Sequence, residues 1–194
     1  MEHLTHRAEN IHLHLARVGT GSPMLLLHGA GEQLSGDVFR KNVDRLAEQH
    51  TVYALDWPNR GWSSSSDITI AAYPQLARSI MDAYQPEQQW TIMGQSMGAG
   101  VTLHIARQFM ERLERIIVIA PPPVARLGAG LESITIPTNI IWGSEDDVVP
   151  VVHAAALHAI IPNSTLDIIP DAKHWPHFET PEALHAILEK YGII

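Results

Sequence analysis

The chain has 194 residues, which is the size of one domain, and with 45% hydrophobic and 18% charged residues it can bury a core. Its 21 acidic residues outnumber 13 basic ones and give a formal charge of -8, so it has too little positive surface to neutralise nucleic-acid phosphates. The absence of cysteine excludes disulfides, thiolate metal sites and a cysteine nucleophile.

Short apolar runs alternate along the chain with segments of helical periodicity, a pattern typical of α/β proteins with a mainly parallel sheet. Strands are predicted at 11–17, 24–27, 52–55, 92–93, 116–119, 140–142 and 164–169. Helices are predicted around 39–46, 73–84, after 94–98 up to about 109, and toward the end at 181–191. Thr180 is the expected N-cap of that last helix, with Pro181 in its first position. We therefore predict a three-layer α/β fold, one domain over 1–194, with helices flanking the sheet.

The segment Gly94-Gln95-Ser96-Met97-Gly98 has the pattern G-x-S-x-G and lies between a predicted strand and a predicted helix. In this context the pattern is typical of a nucleophile elbow, a tight strand-to-helix turn that exposes the serine hydroxyl. Glycines are expected two residues before and two after the serine because side chains there would collide across the turn. Ser96 is therefore the candidate nucleophile.

A serine hydroxyl becomes nucleophilic when a histidine takes its proton and an acid orients that histidine. Among twelve histidines we select His174, because it follows the last predicted strand and so lies where parallel strands end. The candidate acid is Asp146, which follows the preceding strand. Asp147 is the rival acid and Glu145 the third choice.

Two backbone N–H groups are needed to stabilise negative charge on a carbonyl oxygen that a nucleophile attacks. Met97 is expected to supply one of them from the start of the helix that follows Ser96. Ala30, in the glycine-containing loop after the early strand, is expected to supply the other, with Gly31 as the alternate. His28 in the same loop is interpreted as a structural residue that hydrogen-bonds the loop backbone.

Together these motifs resemble the α/β-hydrolase superfamily, most of all its branch of esterases and meta-cleavage hydrolases. Five segments in the expected order carry the resemblance, which spans nearly the whole chain: LHGAG at 27–31, DWPNRGWS at 56–63, GQSMG at 94–98, WGSEDDVVP at 142–150 and HWPHFE at 174–179. The chain order Ser96, Asp146, His174 is also that of the superfamily. The motifs define a fold and a triad more closely than a substrate, because this scaffold supports many activities.

Relatives in this branch insert a helical cap after the strand that corresponds to 116–119. Here only residues 120–133 separate that strand from the next apolar run, so the resemblance implies a minimal core whose cap is missing. Without a cap, the nucleophile is expected to lie in a shallow aromatic groove. The residues expected to line that groove, besides Met97, are Trp57, Trp62, Trp175 and Leu34.

The resulting hypothesis is a cap-less serine hydrolase that cleaves small-molecule carboxylic esters with short acyl groups through an acyl-enzyme on Ser96. Acyl transfer to peroxide or another alcohol, and C–C bond hydrolysis, are alternatives on the same triad. The alternative from another class is a non-catalytic ligand-binding module that retains the three residues. No histidine pair forms H-E-x-x-H or lies with a carboxylate at metal-ligand spacing, so neither a metal nor another cofactor is expected. No apolar run approaches a membrane span, and we expect a cytoplasmic protein without membrane contact.

Overall fold

One eight-stranded sheet organises the backbone in the computed structural model, which describes residues 1–194. The strands are β1 (Glu2–Ala8), β2 (Ile11–Val18), β3 (Ser22–Leu27), β4 (His50–Leu55), β5 (Trp90–Gln95), β6 (Leu113–Ile119), β7 (Thr138–Gly143) and β8 (Ser164–Ile169). Their order across the sheet is β1-β2-β4-β3-β5-β6-β7-β8. The β1–β2 and β2–β4 pairs are antiparallel and every other neighbouring pair is parallel. The predicted mostly parallel sheet is therefore confirmed.

Seven α-helices flank the sheet. They are α1 (Val43–Leu46), α2 (Tyr73–Tyr84), α3 (Met97–Phe109), α4 (Val124–Leu127), α5 (Val152–Ile160), α6 (Pro176–Glu179) and α7 (Pro181–Lys190). Short 3₁₀ turns lie at Gly36–Phe39, Ile70–Ala72, Met110–Arg112 and Leu131–Ser133. No helix combines the length and the apolar composition that crossing a membrane would require.

The central strands are buried along their whole length, which explains their continuous apolar sequences. Every residue of β4, β5 and β7 is buried, as expected for parallel strands covered by helices on both faces. The carboxyl ends of β3, β5, β7 and β8 meet at one edge of this sheet, and the loops that follow them carry the predicted site residues.

The N-terminal hairpin differs from the prediction. The sequence predicts a strand at 11–17 but not β1, which lies at the edge of the sheet and pairs with β2 from Glu2 opposite Arg17 to Ala8 opposite Ile11. Within β1 only His6 is buried, so this strand has no apolar run that would predict it. β1 pairs with β2 through main-chain hydrogen bonds, which do not depend on the type of side chain, so its sequence does not reveal the pairing.

Two predicted helix features also need correction. The helix expected around 39–46 is divided into the 3₁₀ turn Gly36–Phe39 and the single turn of α1, although Phe39, Val43 and Leu46 are all buried as the periodicity indicates. Thr180 does precede α7, with Pro181 in the first position, but it makes no side-chain cap. Its hydroxyl instead donates to the carbonyl of Pro176, 3.1 Å away, because α6 ends at the same residue.

Candidate active site

Ser96 occupies a sharp turn between β5 and α3. Its backbone has φ 52° and ψ -117°, a conformation that side chains rarely adopt and that costs about 1–3 kcal/mol. The neighbouring glycines make the turn possible: a Cβ at Gly98 would lie 2.0 Å from the Leu27 carbonyl oxygen, and one at Gly94 would lie 2.4 Å from the Gly98 carbonyl oxygen. The turn therefore needs both glycines and keeps the strained serine at the edge of the sheet.

Asp146 and His174 form a buried pair next to this edge. His174 Nδ1 and Asp146 Oδ2 are 2.8 Å apart, and both residues are buried. The other carboxylate oxygen, Oδ1, accepts the backbone N–H groups of Val148 and Val149 at 2.9 and 2.8 Å. Because the Asp146 carboxylate accepts the N–H of Nδ1, the other ring nitrogen, Nε2, is free to take a proton from a substrate or a nucleophile.

The rival acids lie elsewhere. The Asp147 side chain is 63% exposed, and its carboxylate is 3.7 Å from the ammonium of Lys173. Glu145 is exposed, and only its backbone N–H reaches this region, where it donates to the Ala172 carbonyl. The structure thus brings Asp146, and neither of the other two, to His174.

The loop that carries His174 is held from both sides. Glu179 accepts the backbone N–H of Lys173 at 2.7 Å through one carboxylate oxygen and that of Trp175 at 3.2 Å through the other. Gln95, the residue before Ser96, donates its side-chain amide to the His174 carbonyl at 3.1 Å. His174 and Ser96 share no hydrogen bond in this structure, and such a bond often forms only when a substrate is bound. Glu179 and Gln95 therefore fix the loop backbone that positions His174.

We expect Glu179→Gln to lower kcat roughly tenfold with KM changed by less than about twofold, because the amide satisfies only one of the two backbone N–H groups and loosens the loop. Steady-state kinetics on a chromogenic ester measures both constants. Glu182→Gln, an exposed substitution in α7, is the matched control and should alter neither. A change in KM alone would contradict a positioning role for Glu179.

The expected oxyanion donors lie beside Ser96. Met97 is the first residue of α3, so its N–H is one of the groups that a helix start leaves without an intrahelical partner. Ala30 lines the same cavity as Ser96 and Met97. Gly31 adopts φ 147° and turns the chain toward Leu34, whose N–H donates to its carbonyl at 3.2 Å. Gly31, the alternate donor, is not among the residues that line this cavity.

His28 fixes the loop that contains Ala30, and its structural interpretation is confirmed. Its Nδ1 donates to the Gly29 carbonyl at 2.8 Å, and its Nε2 accepts the backbone N–H of Trp57 at 3.2 Å. Burial lowers the pKa of His28 to about 4, so the ring is neutral at pH 7 and can donate and accept at the same time.

The predicted aromatic groove is wrong in its composition. Trp57 is fully buried, stacks on Tyr73 with ring centroids 4.3 Å apart and donates its indole N–H to the His28 carbonyl. Trp62 is 72% exposed, but it packs against His3 and His14 of the N-terminal hairpin, beside a different cavity.

Neither of the other two predicted groove residues lines the cavity at Ser96. Trp175 precedes α6 as its N-cap residue, and Leu34 packs against Gly31. Both belong to the loops that support the site.

The cavity that opens at Ser96 has a volume of about 750 Å³ and aliphatic walls. Its apolar lining comes from Ala30, Ile70, Ala71, Pro74, Met97, Gly100, Val101, Pro122, Pro123, Leu127, Val148 and Val149. Three further polar residues, His104, Gln108 and Arg126, complete it. Residues 120–133 contribute Pro122 and Pro123 and the single turn of α4 to this lining. Sequence reasoning missed this lining, although Gly100, His104 and Gln108 follow Ser96 at the four-residue spacing of one helix face.

His177, three residues after His174, is buried without a hydrogen-bond partner at either ring nitrogen. Its ring packs against Phe39 with centroids 5.0 Å apart, and its carbonyl accepts the Asn42 amide at 2.8 Å. Burial, and then the nearby charge of protonated His174, lower the pKa of His177 to about 3. Burial therefore keeps the His177 ring neutral, and its two ring nitrogens without hydrogen bonds lower the stability of the folded protein.

His177→Leu should raise the free energy of unfolding by about 1 kcal/mol at pH 7, because removing two unsatisfied nitrogens gains about 1–3 kcal/mol while losing the contact with Phe39 costs about 0.5–1.5 kcal/mol. The folded pKa lies below the unfolded value of 6.5, so the wild type loses stability as pH falls from 6.5 toward 3, by up to about 1.4 kcal/mol per pH unit. The variant should lose correspondingly less.

Urea unfolding at pH 7 and pH 5 measures both effects. His50→Leu is the matched control: its buried ring contacts Ser22 Oγ at 2.9 Å and the Ile193 carbonyl at 2.7 Å, so this substitution should destabilise the protein at pH 7. A His177→Leu variant that is less stable than the wild type at pH 7 would show that the ring has a polar partner.

Comparison with known proteins agrees with the fold. Residues 22–129, more than half of the chain, match the alpha/beta hydrolase fold family. The chain belongs to this family, as the five sequence motifs indicate.

Solved structures in the same family superpose over almost the whole chain. A CIB-like hydrolase of Thermoplasma acidophilum is 24% identical, with a TM-score of 0.90 over 99% of this chain and 97% of its own. A meta-cleavage product hydrolase of Pseudomonas fluorescens is 18% identical, with a TM-score of 0.89 over 97% and 96%. A thermophilic esterase of Thermogutta terrifontis is 20% identical, with a TM-score of 0.85 over 98% of each chain. At these identities the likeness concerns the fold.

Proposed function

We propose that this protein is a carboxylic ester hydrolase with a preference for short acyl groups, and that Ser96, His174 and Asp146 are its catalytic triad. The observation that carries the proposal is the buried pair of Asp146 and His174, 2.8 Å apart, at the same sheet edge as a serine in a strained turn. A strained backbone and a carboxylate-bound histidine are each costly or rare, and their coincidence is typical of acyl-transfer sites.

In the proposed reaction Ser96 Oγ attacks the ester carbonyl while His174 Nε2 takes its proton. The backbone N–H groups of Met97 and Ala30 stabilise the oxyanion of the tetrahedral intermediate. His174 then returns the proton to the leaving alcohol as the ester C–O bond breaks, which leaves an acyl group on Ser96. Water attacks this acyl group with His174 again as the base, and the carboxylic acid is released.

The cavity favours a short acyl group. Met97, Gly100 and Val101 give it an apolar stretch next to Ser96, but the polar His104 and Gln108 follow on the same face of α3. His104 is eight residues from Ser96, which corresponds to about 12 Å along a helix. A long alkyl chain would therefore have to bury apolar surface against polar groups, which gains little free energy.

The direct test is hydrolysis of p-nitrophenyl acetate, butyrate and palmitate, combined with labelling by a serine-directed phosphonate. We expect turnover of the two short esters, a lower kcat/KM for palmitate, and a single phosphonate adduct that mass spectrometry places on Ser96. Turnover that survives complete labelling of Ser96 would refute the proposed triad. The absence of any turnover together with reversible ligand binding would favour a non-catalytic module.

A further inference from the structure

The cavity at Ser96 changes character along α3. Near the serine its lining from α3 is apolar, whereas the lining residues two and three turns along α3, His104 and Gln108, are polar, and Arg126 of α4 lines the same cavity. Because helical side chains tilt toward the N-terminus, the His104 ring lies closer to Ser96 than the roughly 12 Å between their backbone positions. The polar end is thus about six to eight carbon atoms from an acyl carbonyl at Ser96.

Arg126 is a cation without a protein partner. The protein has 13 lysine and arginine residues, and each of the other twelve makes at least one ion pair or hydrogen bond through its side chain. No aspartate or glutamate is among the 16 residues that line the cavity, although acidic residues outnumber basic ones 21 to 13 in the chain. A free guanidinium facing a cavity without acids is complementary to an anion.

The other two polar groups also present donors. One Arg107 nitrogen contacts both His104 ring nitrogens, Nδ1 more closely than Nε2, which is 3.4 Å away. Since arginine can only donate, the closer contact assigns Nδ1 as the acceptor and the proton of the neutral ring to Nε2. Burial, and then the charge of Arg107, lower the pKa of His104, which favours this neutral form. The Gln108 carbonyl accepts the Gln75 amide at 3.0 Å and leaves the NH₂ group of Gln108 free to donate. Three donors and no committed acceptor among these side chains therefore line the cavity.

We propose that the cavity selects esters whose acyl arm ends in a carboxylate, which Arg126 binds with help from His104 and Gln108. The inference rests on the proposed ester hydrolysis and specifies its substrate class: monoesters of linear dicarboxylic acids of roughly six to eight carbons. A carboxylate accepts at two oxygens and can engage the guanidinium in two parallel hydrogen bonds. Arg126 and Gln108 are exposed, so with an uncharged alkyl end they keep their hydrogen bonds to water and gain none to the substrate.

The test compares two p-nitrophenyl esters of equal length, the octanoate and the half-ester of suberic acid, which differ in the terminal carboxylate. We expect the wild type to prefer the half-ester in kcat/KM by about tenfold or more, mainly through KM. Arg126→Gln should reduce this preference at least fivefold, and higher salt should reduce it in the wild type because the end of the cavity is open to solvent. Arg7→Gln, an exposed substitution on β1, is the matched control and should leave the preference unchanged.

The outcomes separate this inference from the proposed function. If both esters are hydrolysed with similar kcat/KM, or if Arg126→Gln leaves the preference intact, the carboxylate site is refuted while ester hydrolysis stands. If neither these esters nor p-nitrophenyl acetate is hydrolysed, the proposed function itself fails. In that case suberate binding, measured by calorimetry on the wild type and Arg126→Gln, still tests the anion site, and equal affinities would overturn it.

Discussion

Ser96→Ala and His174→Ala should each lower kcat/KM for p-nitrophenyl acetate by roughly 10⁴-fold or more, and the double variant should be little worse than either single one. The reason is that the hydroxyl and the imidazole act in one step: without the base the serine is a weak nucleophile, and without the serine the base has no hydroxyl to activate. Residual activity is expected from the oxyanion donors alone.

Steady-state kinetics on the three variants and the wild type measures this coupling. Ser63→Ala provides a control for serine substitution, since Ser63 lies in the loop near the N-terminal hairpin, where its hydroxyl contacts the Asp56 carbonyl at 2.6 Å. That variant can lose stability, but it should keep its phosphonate adduct on Ser96. Losses that multiply in the double variant, or substantial turnover by Ser96→Ala, would contradict a shared step.

Position along the chain predicted the edge of the sheet at which the candidate triad residues lie. In a parallel sheet each strand ends at the same edge, so residues just after β5, β7 and β8 must lie near one another whatever their separation in sequence. The same logic placed Asp146 and its acidic neighbours after β7 without distinguishing them, and the structure places the Asp146 carboxylate against His174. The topology of the sheet thus brings these residues together, and the apolar runs in the sequence indicate where its strands lie.

The walls of the cavity could not be predicted in the same way. Trp57 and Trp62 lie in one loop after β4, yet one indole enters the core to stack on Tyr73 and the other lies on the surface against His3 and His14. The direction of a side chain in an irregular loop depends on contacts made by the whole fold, and tryptophan suits both a core and a surface. Helix α3 is different, because regular spacing makes the face that contains His104 and Gln108 readable from the sequence once Ser96 is fixed.

The free cation at Arg126 shows a second limit of sequence reasoning. Nothing in the segment Val124–Leu127 distinguishes this arginine from the others. Arg126 stands out because the folded chain places no carboxylate beside it. Recognising this requires the positions of all neighbouring side chains. The lack of an ion-pair partner for an arginine cannot be read from the local sequence.

The acid of the candidate triad gives the second large expected effect. Asp146→Asn should lower kcat by on the order of 10⁴-fold while the protein stays folded. The carboxylate accepts the Nδ1 proton of His174 at 2.8 Å, and an amide placed with its NH₂ group there would force the opposite tautomer and protonate Nε2, the nitrogen needed as a base. The fold should tolerate the change because the remaining amide oxygen can still accept the N–H groups of Val148 and Val149.

Asp147→Asn is the matched control for this prediction, because the same chemical change is made one residue away. Its side chain is 63% exposed and only 3.7 Å from the ammonium of Lys173, so losing the charge should change kcat by less than about twofold and stability by less than about 1 kcal/mol. Stopped-flow or steady-state kinetics gives kcat for both variants, and thermal unfolding shows that Asp146→Asn is folded. If kcat falls strongly in Asp147→Asn and little in Asp146→Asn, the triad acid is Asp147 and not Asp146. If both losses are small, His174 needs neither carboxylate.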